Sequence, residues 1–337
     1  MTLFRDLRRS SGRVLVPVAI AAALLAACGG GTSQVQAFKP SRLIVFGDEN
    51  SLIADDAGSS DGFKYSINDR STATAGRCQT LPTFVQSVAT HYELVFAQCN
   101  PLGSTPKAFL QALPLAKIDD PVTGLGRQIA KQGDLNANDM VTVMIGSNDI
   151  IELYERSQAG MSTGDAVAEV QRRGSVAAAQ VNAILKTGAR ALVFTIPDLS
   201  LSPYAVNAAR TNPGATGQLA NLTYQFNAYL RTRINATAYD GRNYGLVLAD
   251  DIVAAMAATP TSYLNAPAAA NVAACVTTPV GGTAAAVASA VLACDTTTLV
   301  AGASSSSHLW ASDRHLGPNA HSRIGSQAVS RASGNPF

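Results

Sequence analysis

Five apolar runs constrain this chain most. SRLIVFGD (41–48), ELVFAQ (93–98), DMVTVMIGSND (139–149), ARALVFTIPDL (189–199) and YGLVLADD (244–251) are rich in Val, Ile and Leu. The stretches between them carry helical spacing: LPTFVQSVATHY (81–92), GLGRQIAKQG (124–133), AVAEVQRRGSVAAAQVNAILKTG (166–188) and LANLTYQFNAYLRTRINATA (219–238). Near-continuous β-branched strands that alternate with helices are the signature of buried parallel βαβ units. The expected architecture is α/β: a three-layer α/β/α sandwich with a mainly parallel sheet. In such sheets functional residues collect beyond the carboxyl ends of the strands. Three turns then matter: Asp48–Ser51, Gln98–Gly103 and Gly146–Asp149.

The N-terminus reads differently from the rest. Arg5, Arg8, Arg9 and Arg13 precede an uncharged apolar stretch, residues 14–27. That stretch falls short of the roughly 20 apolar residues a membrane span needs, and it has the build of a secretory signal. Its end, Leu25-Ala26-Ala27-Cys28, resembles a bacterial lipobox. The resemblance implies that residues 1–27 are a lipoprotein signal peptide and that the Cys28 thiol is lipidated. By analogy with lipoprotein sorting, Gly29 implies the outer membrane of a bacterial cell envelope. Residues 28–38 read as a flexible tether. Residues 39–337, roughly 300, suffice for one sizeable core.

The charge balance, 25 basic against 23 acidic residues with no basic cluster after the signal, does not indicate nucleic-acid binding. Beyond Cys28 four cysteines remain: Cys78, Cys99, Cys275 and Cys294. In an exported chain they read as two disulfides with three connectivities open, and the short loops favour Cys78–Cys99 and Cys275–Cys294. Zinc ligation lacks both a Cys-x-x-Cys and a histidine pair at ligand spacing. No metal or cofactor is expected. Residues 257–307, rich in Ala, Thr, Gly and Ser, read as an irregular insertion tied by the second disulfide.

Four stretches resemble the SGNH, or GDSL, hydrolases, especially their exported bacterial esterase and phospholipase branch. They are FGD (46–48), IGSND (145–149), IPDLSLSP (196–203) with QFNAYL (225–230), and SDRHLGPNAH (312–321). The resemblance covers roughly residues 41–332 and implies a flavodoxin-like SGNH domain. It further implies hydrolysis of carboxylic ester bonds in a lipid or other acyl ester. No GxSxG elbow is present, which argues against the α/β-hydrolase pattern.

In that family a serine attacks the carbonyl, a histidine takes its proton and an aspartate orients the ring. A glycine N–H, an asparagine side chain and the nucleophile's own N–H hold the oxyanion. By this resemblance Asn148 takes the asparagine's place and His315 the histidine's. Asp313 stands two residues before His315, where the family places its aspartate three before. The glycine block would fall at AQCNP (97–101), which puts Asn100, or a displaced Gly103, in the donor position. The serine position is Glu49 without a gap and Ser51 with a two-residue insertion. The tightness of a strand-to-turn junction favours Glu49. Ser51 would be shifted by about 6–7 Å along an extended chain, too far for contact with its base. The alternative to an esterase with an atypical site is a non-catalytic SGNH-fold lipoprotein that binds a ligand or an envelope partner.

Overall fold

The structure, a computed structural model, describes residues 38–56, 58–70, 76–275, 290–334 and 337. The expected signal peptide, Cys28, the expected tether up to residue 37 and residues 276–289 of the insertion lie outside the described residues.

The strands are β1 (Arg42–Gly47), β2 (Ile53–Ala54), β3 (Phe63–Lys64), β4 (Ala108–Leu110), β5 (Asp139–Met144), β6 (Arg190–Phe194), β7 (Tyr244–Val247), β8 (Ala269–Ala273) and β9 (His308–Trp310). Five of them form one parallel sheet in the order β4-β1-β5-β6-β7. Each central strand is covered on both faces. Leu43, Ile44, Val45 and Phe46 of β1 are fully buried, as are Ala191 to Phe194 of β6. Helices Thr163–Lys186 and Ala215–Arg233 pack together, and so do helices Phe84–His91 and Pro318–Ala332. These are the outer layers of the expected α/β/α sandwich. At the opposite end of β1 from the candidate site, Arg42 forms a bidentate pair with Asp139 of β5, at 2.6 and 2.8 Å.

Two expectations are corrected. ELVFAQ (93–98) forms no sheet strand. Glu93 takes a left-handed φ of 57° at the end of the preceding helix, and Cys99 is tied back to Cys78. Too little chain remains to run along the sheet, and Phe96 makes only an isolated bridge to Ala108. The edge beside β1 is instead β4, only three residues long. The insertion is also less irregular than its composition suggests. β8 pairs in parallel with β9, and Cys275–Cys294 draws Ala274 and Val291 against Tyr65, Ile67 and Ala311. Both disulfides join the expected partners.

Candidate active site

β1 ends in a turn that the backbone leaves little freedom to change. A Cβ on Gly47 would lie 2.3 Å from the Met144 carbonyl oxygen and 2.7 Å from Ser51 Oγ, so only glycine fits between the β1 and β5 ends. The Gln128 amide grips this residue from both sides. Its Oε1 accepts from the Gly47 N–H and its Nε2 donates to the Gly47 carbonyl, each at 2.8 Å. Asp48 then caps the single 3-10 turn Glu49–Ser51 by accepting from the Asn50 N–H. Burial and the neighbouring Glu49 charge push the Asp48 carboxyl well above its usual range. In this turn one acid is thus pushed up and the other is held ionised.

The ionised one is Glu49, 2% exposed. Its Oε2 accepts from the Leu115 N–H at 2.9 Å and from Asn148 Nδ2 at 3.0 Å. Its Oε1 lies 3.4 Å from His315 Nε2. Its own backbone N–H also points at the carboxylate. Burial raises the Glu49 carboxyl, but His315, its own N–H and Asn148 together outweigh this and hold it below the ordinary glutamate value. The His315–Glu49 contact is a close approach without hydrogen-bond alignment, an ion pair only when the imidazole is protonated.

His315 is 1% exposed and sits in the turn between β9 and the last helix. Its Nδ1 lies 2.6 Å from Ser312 Oγ, which donates onward to Asp313 Oδ1 at 3.4 Å. A hydroxyl that donates to the carboxylate is placed to accept from an Nδ1–H. Tyr65 lies alongside, its ring centre 5.8 Å from the imidazole. Burial and the Glu49 charge push the Tyr65 phenol up to about 12.

The structure thus brings Glu49, Asn148 and His315 together. It separates Ser51 from them. Ser51 Oγ is fully buried, has no hydrogen-bond partner and faces Gly47. Three further expectations are corrected. Asp313 does not touch the imidazole; its carboxylate pairs with Arg314 at 3.0 Å, and Ser312 stands between. Asn100 and Gly103 donate no hydrogen bond to the Glu49 carboxylate. Asn100 closes its own loop by exchanging hydrogen bonds with Ser104, and Gly103 ends that turn. The backbone N–H that Glu49 accepts from is that of Leu115, in the loop that follows β4. Leu115 adopts φ 60°, a conformation normally left to glycine. Residue type could not reveal it, because the donor is a backbone N–H and leucine lacks the glycine signature. Ser312 was visible only by counting three residues back from His315.

Asp149, next to Asn148, anchors the start of helix Ser147–Gln158. It accepts from the Ile118 N–H and pairs with Arg173 at 2.9 Å. This fixes the Asn148 side chain and the loop that carries Leu115 relative to each other. Among the described residues, no group of three or more His, Cys, Asp or Glu side chains is arranged to hold a metal ion.

The family model described as GDSL-like lipase/acylhydrolase matches residues 19–256. No curated protein sequence matches significantly. Among solved structures, the chain is similar to a catalytic mutant of Axe2, an acetylxylan esterase from Geobacillus stearothermophilus. Identity is 12% over 89% of this chain and 97% of that one, with a TM-score of 0.46. It is also similar to LAE5, an alpha/beta hydrolase enzyme from the metagenome of Lake Arreo, Spain. There identity is 13% over 76% of this chain and 97% of that one, with a TM-score of 0.38.

Proposed function

The chain belongs to the GDSL-like lipase/acylhydrolase family, and we propose that it is a lipid-anchored envelope hydrolase of ester-type small molecules whose reacting pair is Glu49–His315 rather than serine–histidine. One observation carries this reading: the Glu49 carboxylate stands between the oxyanion donors and the imidazole, with one oxygen on each side. A family nucleophile occupies that place. Ser51 is buried behind the turn, and its hydroxyl has no base.

In this mechanism Asn148, Leu115 and the Glu49 N–H hold negative charge, and Ser312 fixes the imidazole. The His315 Nε2 moves the proton. The mature chain is anchored through Cys28 in the outer membrane, where ester and lipid substrates are at hand. Two measurements test this reading. Hydrolysis of short p-nitrophenyl esters should be lost in Glu49→Gln and kept in Ser51→Ala, with no fluorophosphonate labelling of the wild type. Cys28→Ala should leave the membrane fraction. Serine labelling at Ser51 would sink the reading.

A second reading is favoured by the burial of both partners, 2% for Glu49 and 1% for His315. In it the pair is a structural lock in a non-catalytic binding protein. Absence of any Glu49-dependent turnover would select it.

A further inference from the structure

The Glu49 carboxylate also bears on a bond class other than the acyl ester. For an acyl ester the carboxylate must give up its donors to the substrate. The substrate's own carbonyl oxygen needs the oxyanion donors, yet Glu49 Oε2 already occupies them at 2.9 and 3.0 Å. The same arrangement suits a different reaction, in which the carboxylate's own carbonyl is the one activated. Resting on the Glu49–His315 reading, we infer that Glu49 is a nucleophile toward saturated carbon. The protein would then hydrolyse an apolar alkyl electrophile, an alkyl halide or epoxide, through an ester of Glu49.

The atoms assign themselves to two steps. In the first, Oε1, the oxygen not held by Leu115 and Asn148, attacks a saturated carbon. An Oε1–C bond forms and the bond from that carbon to its leaving group breaks. The leaving group carries off the electron pair, as a halide ion or as the alkoxide of an opened ring, which then takes a proton from water. Glu49 is now a neutral alkyl ester. Its carbonyl oxygen, Oε2, still lies between the Leu115 N–H and Asn148 Nδ2.

In the second step a water attacks the Glu49 Cδ while His315 Nε2 takes its proton. Negative charge gathers on Oε2, where donors are already in place and need not reorganise. Ser312 Oγ at 2.6 Å from Nδ1 keeps the ring aimed during this transfer. Collapse breaks the Cδ–Oε1 bond, and the alcohol leaves with the proton held by His315. The regenerated carboxyl loses its remaining proton. One oxygen of Glu49 has left in the alcohol, and one oxygen of water has entered Glu49.

The surroundings favour an apolar substrate. Leu52 follows the turn and Leu115 carries the amide that binds Glu49. Both are partly buried against the cluster of Tyr65, Ile67 and the Cys275–Cys294 disulfide. Arg314, whose charge reaches Glu49, is paired with Asp313 at 3.0 Å.

The isotope fate of Glu49 is the test. Full-length protein is incubated with hexyl bromide or hexene oxide in water labelled with heavy oxygen, and residues 43–64 are recovered by trypsin and sequenced by mass spectrometry. One heavy oxygen should appear in Glu49, and unlabelled oxygen in the first-turnover alcohol. The His315→Gln variant should accumulate an alkyl adduct on Glu49, which Ser51→Ala does not remove. The wild-type labelling stands if His315→Gln fails to fold. An unlabelled Glu49 with no adduct overturns the inference. If p-nitrophenyl ester turnover is then still lost in Glu49→Gln, the proposed function survives without it. If that turnover persists, both fall.

Discussion

Replacing Glu49 by serine separates position from chemistry. The substitution removes the carboxylate that accepts from Leu115 and Asn148 at 2.9 and 3.0 Å and that faces His315 at 3.4 Å. Leaving these buried donors without their acceptor costs about 1–3 kcal/mol each. In a domain of this size that lowers the melting temperature by roughly 10 °C. The serine hydroxyl stops at Cβ, so the space held by Oε2 opens to a substrate oxygen. Each well-placed oxyanion donor contributes about 2.7–4 kcal/mol to a serine hydrolase transition state. Against this, loss of the orienting aspartate in a serine triad costs up to ~10⁴ in rate, and here Ser312 holds the imidazole. Glu49→Ser should therefore gain slow fluorophosphonate labelling at residue 49 that His315→Ala abolishes. Adding Ser312→Asp should accelerate it by about 10²-fold or more. Gel fluorescence of labelled protein, with near-UV circular dichroism to confirm folding, reads the result. A folded Glu49→Ser protein that stays unlabelled, or that labels at Ser51, refutes the placement of Glu49 at the nucleophile position.

Gly47→Ala should destabilise by about 2 kcal/mol or more, because its Cβ meets backbone at 2.3 Å and cannot be relieved by a rotamer change; urea melts measure it, and a neutral outcome would mean the β1–β5 junction is looser than described. His321 is buried without a partner, and burial, with Lys64 and His315 nearby, holds its ring down to about 3. A depressed histidine contributes stability that is whole above its unfolded value near 6.5 and is lost as pH falls toward the folded value. Stability should drop between pH 6.5 and 3, by at most about 1.4 kcal/mol per pH unit from this one group, and His321→Leu should flatten that slope. Removing the second disulfide by Cys275→Ser with Cys294→Ser should cost roughly 3 kcal/mol by loop closure and should increase hydrogen exchange in the Tyr65–Ile67 segment packed on it.

Most of the fold was legible because burial on both sheet faces writes itself as continuous apolar runs; β1, β5, β6 and β7 each fall inside one. β4 was not, since three residues leave no run to see, and the apolar segment at 93–98 drew attention away from it. The site divides along the same physical line. Asn148 and His315 meet Glu49 through side chains, and side chains are what a sequence displays. Leu115 acts through its N–H at a positive φ, which no residue letter reports. The aspartate expected near His315 was placed by counting along the chain, but the turn decides otherwise: Asp313 points to Arg314, and the hydroxyl one residue earlier meets Nδ1. Glu49 is the reverse case. Its letter alone looked like damage to a serine site. The coordinates give it three donors and an imidazole, and the price of burying its charge is offset only because all four converge on it. One Glu49 oxygen takes the Leu115 and Asn148 donors and the other faces His315 Nε2, and the proposed hydrolysis of a glutamyl ester uses that same division.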